Sequence, residues 1–577
     1  MTRRPWGRVA AVVALAAVAL AALAGPASAH AVLLRSEPGA QSVLQRAPSG
    51  VRLVFSEPVE VERGWIRVLD PSGRRVDRGA PTRSGGNRTV VQPVAGLSEG
   101  TYTVTWRAVS ADTHPTRGGF VFSVGHPSTG APAQVEGEQA APAEVAAGYG
   151  VVRFAWFVGF LGLIGMVAVR RWVWTPALRE LELLDSPLAV GFRRRFARVL
   201  PAAWVVLAVA QVLMLWLQAA TVEGVSLAAA ARPATLGGVI GSGFGRLWLV
   251  SLGLVVALGV PVVALARRTR LAGIAPEVWI RLGGLLAAGL AVVRALDGHA
   301  RTDPRPGLAV AALAAHLLAA GVWVGGLGAL VVLAAPGWQG LRAKGPARLL
   351  GQLLPRFSRL AVVAVAVVVG TGVIATVGQL SSVWDLWRNA YGLVLLAKLT
   401  LVGLALVMGR EHRFVLPGRL AGRRQLVRDA RATVGEFRQS SRAELVTLLV
   451  VVAAASVLVA MVPGRTAALA GDQINTTRQA GPWRVQLLVD PSTAGDNELH
   501  LTFTRRTGQA AAQVSGVQAT LTRTDRPTAP QGLELALLAP GLFSADATLA
   551  APASYRLAVQ APDAQTAFEF TIRQHAS

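Results

Sequence analysis

GTYTVTWRAVSADTHPTRGGFVFSVG, residues 100–125, holds an Asp-x-His pair, Asp112 and His114, at the end of a run of alternating apolar and polar residues. Alternation with a period of two is typical of a half-buried β-strand. Side chains at i and i+2 of an extended chain point to the same side, so the pair could bind one metal ion. Two side chains rarely make a tight site, and the stretch therefore predicts further ligands elsewhere in the chain.

The same alternation recurs across residues 30–125, in segments such as VRLVFSEPV and GWIRVLD that are separated by Pro, Gly, Ser and Asn. Short strands between turn residues are typical of a β-sandwich. About 95 residues are enough for one small hydrophobic core. We therefore predict an N-terminal all-β domain over 30–125, a Greek-key sandwich or barrel.

Residues 1–29 predict a signal peptide, with two early Arg, an Ala/Val/Leu run, a Gly-Pro break and the cleavage pattern Ala27-Ser28-Ala29. Cleavage would make His30 the first residue and would place the β domain outside the cytoplasm. His30 would then carry a free α-amine beside its imidazole, and the two nitrogens can chelate one metal ion. An α-amine has a pKa of about 7.7 to 8.0, so a metal can displace its proton near neutral pH.

His30, Asp112 and His114 together offer three nitrogens and one oxygen, a set that suits tetragonal Cu(II) better than Mg²⁺ or Ca²⁺. The chain has no Cys, and none of its five Met lies within residues 30–125, so a thiolate or thioether site in this domain is excluded. The alternative is that Asp112 caps a turn and His114 faces solvent. That alternative leaves the His directly after the cleavage site unexplained.

The composition indicates a membrane protein, since 52% of the 577 residues are hydrophobic and only 15% are charged. Apolar runs of about twenty residues can each cross a hydrocarbon core about 30 Å thick. We predict eight spans, at 148–169, 199–219, 246–266, 278–297, 308–333, 359–379, 391–409 and 443–463. They form an all-α bundle over 148–463, and residues 126–147, rich in Ala, Pro and Gly, form a linker.

Lys and Arg are distributed unevenly between alternate loops of this bundle. The stretches 170–198, 267–277, 336–359 and 410–442 contain 24 of these residues, whereas the intervening stretches 221–245, 297–307 and 380–390 contain 4. Basic residues favour the cytoplasmic side, so both chain termini are predicted to lie outside a multi-pass cell membrane protein. Because the basic residues form no single aromatic-interleaved patch, the net charge of +25 predicts no nucleic-acid partner.

Three ionisable residues in or beside the spans are candidate functional residues, because a charge inside a bilayer is costly. His316 lies about 12 Å deep at a rise of about 1.5 Å per residue, and His299 ends the preceding span on its outer side. We treat His299 and His316 as the candidate membrane copper path. Lys398 repels a cation, so a role in pairing or hydrogen bonding within the bundle is favoured. Gly321 and Gly325 form a small-xxx-small seam that predicts close helix contact.

Residues 481–577 alternate again, in WRVQLLVD, ELHLTFT and AFEFTIR, after a connector over 464–480. They predict a second extracytoplasmic all-β sandwich. We find no metal motif in it, and His500 and His575 are expected to be structural or solvated.

Two family resemblances rest on specific motifs. HAVLLRSEPGAQSVLQRAPSGVRLVFSEPVE and residues 100–125 resemble the CopC family of copper-binding β-barrels, which implies a Cu(II) site at His30, Asp112 and His114. Some members also carry a Met-rich Cu(I) site, which this chain lacks. GHA, HLLAAGVWVGGL, RFSRLA and YGLVLLAKL resemble the CopD family of copper-resistance membrane proteins, and the last domain weakly resembles YtkA-like β domains.

The leading interpretation is a non-enzymatic membrane protein that captures Cu(II) outside and passes copper to or through the bundle, for uptake or for homeostasis and resistance. Its partners are then the copper ion, the lipid bilayer and, as a candidate, an extracytoplasmic copper donor protein. One alternative is a haem-b redox protein, which needs two His on facing helices at similar depth. Another is a copper monooxygenase, which needs a broad substrate surface that so small a domain lacks. The chain has no Walker A sequence, so direct use of ATP is not expected.

Overall fold

The computed structural model describes the chain from residue 31 to residue 574 with internal gaps. The described residues are 31, 33–39, 42–61, 64–110, 115–126, 128, 142–267, 274–301, 303, 305–334, 345–380, 382–410, 427–461, 463–464, 474–480, 483–490, 495–505, 516–526, 528–539, 541–550, 553–561 and 566–574. The helical part and the β domains belong to separate compact units and are described in turn.

The N-terminal domain consists of two β-sheets. Its strands are β1 Leu33–Glu37, β2 Val43–Leu44, β3 Gly50–Phe55, β4 Val59–Glu60, β5 Ile66–Leu69, β6 Thr82–Ser84, β7 Thr89–Pro93, β8 Gly100–Ser110 and β9 Pro115–Val124. One sheet has the order β1-β3-β7-β6, and the other has the order β2-β9-β8-β4, with β5 also paired to β8. Only β2 and β9, among the described strands of this domain, pair in parallel.

The alternation in the sequence sets the core of this domain. In β3, Val51, Leu53 and Phe55 are buried, whereas Arg52 between them is exposed. The inward-facing residues of both sheets meet in one hydrophobic cluster, which includes Tyr102 and Phe122 with stacked rings. The predicted all-β sandwich over 30–125 is therefore confirmed in its fold class.

The helical unit contains long apolar helices joined by short turns. Its helices are α1 Ala143–Ala168, α2 Thr175–Glu180, α3 Pro187–Glu223, α4 Leu227–Ala230, α5 Pro233–Gly241, α6 Gly243–Arg267, α7 Pro276–Leu296, α8 Pro306–Ala320, α9 Gly326–Ala329, α10 Gly345–Gln379, α11 Asp385–Arg388, α12 Ala390–Arg410 and α13 Val427–Leu458. A 3₁₀ turn covers His299–Arg301, and π-helical segments cover Val169–Trp174, Gly321–Gly325 and Leu330–Ala334.

Eight helices in the described part of the chain are long and apolar enough to cross a membrane, the number that the sequence predicts. One of them, α3, begins and ends at ordinary helix signals. The Ser186 hydroxyl accepts a hydrogen bond from the Ala189 amide at the start of α3, Pro187 occupies the first helical position, and Gly224 ends the helix at φ 66°. Many outward-facing Val and Leu of α6 and α10 are exposed, which places them against lipid in a bilayer.

α1 crosses the end of α8 and the π-helical segment Gly321–Gly325 at a seam of glycines. A Cβ at Gly165 would overlap the backbone of Gly325 and Gly326, and a Cβ at Gly325 would overlap the carbonyl group of Leu161. A Cβ at Gly321 would lie 2.8 Å from the Cβ of Ile164. The predicted close contact at Gly321 and Gly325 is thus confirmed, with backbone against backbone.

The C-terminal domain is a second pair of β-sheets. Its strands are β10 Ile474–Ala480, β11 Trp483–Asp490, β12 Gly495–Arg505, β13 Gln518–Arg523, β14 Gln531–Leu533, β15 Ala536–Ala539, β16 Leu542–Leu549, β17 Ala553–Ala561 and β18 Thr566–Gln574. The sheets have the orders β10-β11-β12-β16-β15 and β14-β13-β17-β18. Alternate residues such as Leu499, Leu501 and Phe503 of β12 fill one shared core, which confirms the predicted β-sheet domain.

Candidate functional site

The predicted copper ligands His30, Asp112 and His114 lie outside the described residues, so their assignment stays a prediction. The strands that flank them are described. Within the described residues, no group of three or more His, Cys, Asp or Glu side chains is placed to hold a metal ion. His30, Asp112 and His114 are not among those residues.

Asp112 and His114 belong to the connection between β8 and β9, the two longest strands of the N-terminal domain. These strands pair from Gly100 opposite Val124 to Val109 opposite Pro115. Near this end the Trp106 indole covers Gly118, where a Cβ would lie 2.6 Å from the indole Cζ2. Phe55 packs edge-on against the same indole, with ring centroids 5.3 Å apart. The connection therefore leaves from a rigid, well-packed pair of strands.

Strand pairing also brings the start of β1 to this end of the domain. Leu33, three residues after His30, pairs with Phe55. Four residues after Phe55, Val59 pairs with Ser110, which directly precedes the β8–β9 connection. A residue adds at most about 3.6 Å of reach, so three residues span about 10 Å. The register thus places the flanks of both predicted halves of the metal site at the same end.

Buried polar side chains lie at this same end, in the connection between β3 and β4 and at the last residue of β8. Glu57 is 7% exposed, Ser56 is 5% exposed and Ser110 is 2% exposed. All three take part in polar interactions within the protein. Glu57 thus brings a buried carboxylate to the end of the domain where the β8–β9 connection begins, and it is a candidate oxygen ligand. Glu57 is not among the ligands predicted from the sequence, although an acid two residues after the alternating strand and before Pro58 was the available signal.

In the membrane domain, His316 of α8 contacts Thr371 of α10. The His316 Nδ1 lies 3.0 Å from the Thr371 hydroxyl, and that hydroxyl lies 2.6 Å from the Val367 carbonyl oxygen. A hydroxyl has one hydrogen, and here it is donated to the carbonyl oxygen. The hydroxyl therefore accepts from Nδ1–H of His316, which leaves the Nε2 lone pair of His316 available to a metal ion.

Of the other two candidate membrane residues, the side chain of Lys398 is described and that of His299 is not. His299 lies in the 3₁₀ turn His299–Arg301, but its side chain lies outside the described part, so the path from His299 to His316 stays a prediction. Lys398 of α12 is half-buried and interacts electrostatically with His316. Among the side chains described in the spanning helices, His316 is the single histidine. The described residues therefore offer no histidine pair for a haem.

His500 of the C-terminal domain is fully buried, on the face of β12 opposite the core residues Leu499 and Leu501. Its Nε2 lies 3.7 Å from a carboxylate oxygen of Glu498. Burial lowers the pKa of His500 to about 4, and the nearby Asp546 opposes that shift. The imidazole is therefore neutral at pH 7, as expected for a structural histidine. His575 lies outside the described residues.

Comparison with known proteins identifies three segments of the chain. Residues 33–125 match the family described as CopC domain. Residues 143–304 match the family described as Copper resistance protein D-like, N-terminal domain, and residues 351–458 match Copper resistance protein D. His316 lies between the last two segments, and Lys398 lies inside the last.

Two curated relatives and one solved structure illustrate the similarity. The copper transport protein CutJ of Bacillus subtilis (strain 168) is 28% identical over 67% of this chain and 68% of its own length. Copper resistance protein C of Escherichia coli is 36% identical over 17% of this chain and 83% of its own length. The crystal structure of PcoC, described as a methionine-rich copper resistance protein from Escherichia coli, is 32% identical and covers 17% of this chain and 100% of its own, with a TM-score of 0.15.

Proposed function

The chain belongs to the copper-resistance proteins, as a fusion of a CopC domain with a CopD membrane domain, and we propose a function on that premise. It captures Cu(II) outside the cell membrane and passes copper to or through the helical bundle, for copper uptake or for homeostasis and resistance. It acts as a transporter or carrier and catalyses no reaction. Both β domains lie on the extracytoplasmic side.

The observation that carries the capture step is the register of the N-terminal domain. It brings Leu33, Ser110 and the buried Glu57 to the end from which the chain continues to His30 and to His114. The α-amine and imidazole of His30, the His114 imidazole and the Asp112 carboxylate form the Cu(II) ligand set, with Glu57 as an additional oxygen ligand. Three nitrogens with oxygens, and no thiolate or thioether, select Cu(II).

The observation that supports the passage step is the hydrogen bonding of His316. Thr371 fixes the tautomer that leaves Nε2 with its lone pair, the state in which imidazole binds a metal. Lys398 interacts with the same imidazole and disfavours a resident cation there. A site that binds copper only weakly suits passage, because conduction requires that an ion can also leave.

Copper binding to the purified chain tests the capture site. His30→Ala removes one imidazole, and a chain with one extra residue before His30 loses the α-amine from the site while keeping the imidazole. Loss of an outer-shell partner lowers metal affinity roughly 10–100-fold, and both variants are expected to lower the Cu(II) affinity by more than that. His126→Ala is the matched control, because His126 is exposed. Unchanged Cu(II) affinity in both His30 variants would refute the capture site.

Cellular copper content tests the passage step and its direction. Cells that carry the wild-type protein are expected to contain more copper than cells without it, cells with His316→Ala are expected to lose the increase, and cells with His126→Ala to keep it. A copper content that is the same with and without the wild-type protein contradicts uptake. A lower content with the wild-type protein assigns the protein to export and resistance.

A further inference from the structure

A small cavity lies between the last spanning helix, α13, and the π-helical segment Leu330–Ala334. The residues that line it are Leu330, Val331, Phe437, Arg438, Ser441 and Arg442. Two guanidinium groups and one hydroxyl therefore belong to the lining, and none of these described residues carries a carboxylate. A guanidinium group donates hydrogen bonds and accepts none. This lining repels a cation and fits an anion.

Two buried donors of this lining have no partner among the described residues. The Ser441 side chain is 1% exposed, and its hydroxyl makes no hydrogen bond there. Other hydroxyls of α13 are satisfied within the helix, since Thr447 and Ser456 each donate to the carbonyl oxygen four residues earlier, at 3.0 Å and 2.9 Å. The buried Nε of Arg438 is likewise without a partner among the described residues. Buried donors are costly to leave unpaired, so the two together indicate a group that accepts hydrogen bonds at this cavity.

The nearby acid of α13, Glu444, is engaged elsewhere. It follows Ser441 by three residues but does not line the cavity. A Cβ at Gly409 of α12 would lie 3.4 Å from the Glu444 Oε1, so the carboxylate lies against the α12 backbone. Glu444 also takes part in a polar interaction of its own within the protein. The positive charge of the lining is therefore left for an anion from outside the chain.

The size of the cavity limits how an anion can bind. Its volume of about 10 Å³ is roughly what one water molecule or one oxygen atom needs. Arg442 is exposed, so the lining reaches the protein surface. One oxygen of a phosphate group can therefore enter, while the rest of the group stays at the surface beside Arg442. The opposite wall is held in place, because the Arg195 Nε of α3 donates to the Leu333 carbonyl oxygen at 2.8 Å.

The position of the cavity in the membrane favours a lipid as the source of the phosphate. Arg438 and Arg442 lie in the first turns of the spanning segment Phe437–Leu458, at the predicted cytoplasmic end, and basic pockets between spanning helices on that side bind lipid headgroups. Val446, one turn beyond Arg442 on the same face of α13, is 52% exposed, and Val332 is 46% exposed. An apolar surface thus extends from the cavity toward the bilayer interior, where an acyl chain can lie.

We propose that Arg438, Ser441 and Arg442 bind the phosphate group of an anionic phospholipid in the inner leaflet. One phosphate oxygen enters the cavity and accepts hydrogen bonds from the Ser441 hydroxyl and the Arg438 Nε. The Arg442 guanidinium group pairs with the phosphate from the surface side, and hydrogen bonds of this charge-assisted kind are the strong ones. The acyl chains lie along the exposed valines, a contact that free phosphate cannot make. The bound lipid connects α13 to the π-helical segment Leu330–Ala334.

Thermal unfolding of the full chain in mixed micelles tests this site. Phosphatidylglycerol is expected to raise the unfolding temperature of the wild-type protein, and phosphatidylcholine with the same acyl chains is not. Arg442→Gln and Ser441→Ala are each expected to need about fivefold more phosphatidylglycerol, or still more, for the same rise. Unfolding in phosphatidylcholine alone separates a change in the fold from a change in binding. Arg281→Gln is the matched control, because it makes the same charge change at an exposed residue near the predicted inner end of α7.

The outcomes separate a lipid site from general surface charge and from a site for free phosphate. A rise that is specific for phosphatidylglycerol, weakened in Arg442→Gln and Ser441→Ala and kept in Arg281→Gln, supports the proposal. Equal rises with both lipids, no rise with either, or the same lipid dependence in Ser441→Ala or weakening in Arg281→Gln overturn it. Inorganic phosphate added in phosphatidylcholine is the second arm, and an equal rise there assigns the cavity to a free anion and overturns the lipid site. None of these measurements involves copper, so their result is independent of the proposed function.

Discussion

Gly165→Ala tests the glycine seam between α1 and the segment that follows α8. The added Cβ would overlap the backbone of Gly325 and Gly326, and no side chain can rotate away to make room. Carbon atoms pack at about 3.5–4.0 Å, so the helices would have to separate by more than about 1 Å. Overpacking of this kind costs about 1–3 kcal/mol, whereas Ala gains about 1 kcal/mol over Gly in helix propensity.

Gly162→Ala is the matched control for this prediction, because it lies one turn away on the same helix. A Cβ at Gly162 would lie 4.0 Å from the Cβ of Ala203, an ordinary contact, so Gly162→Ala should keep the gain in propensity. We expect Gly165→Ala to be about 1–3 kcal/mol less stable than Gly162→Ala and to unfold at a temperature several degrees lower. Thermal unfolding of the detergent-solubilised chain, followed by its 15 Trp, measures this difference. Equal unfolding temperatures would refute the close crossing.

Three further predictions concern other parts of the chain. The pKa of His500 falls from 6.5 in the unfolded chain to about 4 in the folded chain, so the unfolded chain binds one more proton between these two pH values. The C-terminal domain should therefore lose up to about 3 kcal/mol of its stability as the pH falls from 6.5 to 4. Hydrogen exchange should show this loss in the wild type and not in His500→Leu. Thr371→Val removes the acceptor for His316 and should lower copper flux severalfold with the fold intact, and unchanged flux contradicts that role. Gly118→Ala should displace Trp106, seen as a shifted fluorescence spectrum, and weaken Cu(II) binding at least tenfold; a wild-type spectrum and affinity would count against the packing described.

Most of the architecture could be predicted because it depends on periodicity and length. In a bilayer, a run of about twenty apolar residues satisfies its own backbone hydrogen bonds by forming a helix. A strand in which apolar and polar residues alternate, as around Val51 and Leu53, buries one of its faces. The seam at Gly321 and Gly325 could also be predicted, because two small residues four apart share a helix face. These features are local in the sequence, so no knowledge of the partner element was needed.

The residues that were missed depend on partners that are distant in the sequence. Glu57 follows a strand, as many surface acids do. Only the pairing of Val59 with Ser110 places it at the end of the domain where the β8–β9 connection begins. Glu444 begins an apolar run and resembles a charge at a helix end, but its burial against Gly409 depends on how α12 packs on α13. The π-helical segments were also missed, because a shift in backbone hydrogen bonding leaves little trace in composition.

The glycine seam limits how the membrane domain can move. Where backbone touches backbone there is no layer of side chains on which one helix can slide, so α1 and the chain around Gly325 behave as a single rigid body. α12 and α13 share a second hydrophobic cluster, which includes Tyr391, Leu401 and Leu458, and they also contribute Ala405 and Leu448 to the main core of the bundle. Any change in shape during copper passage is therefore expected away from the glycine seam, which provides the fixed frame against which that movement takes place.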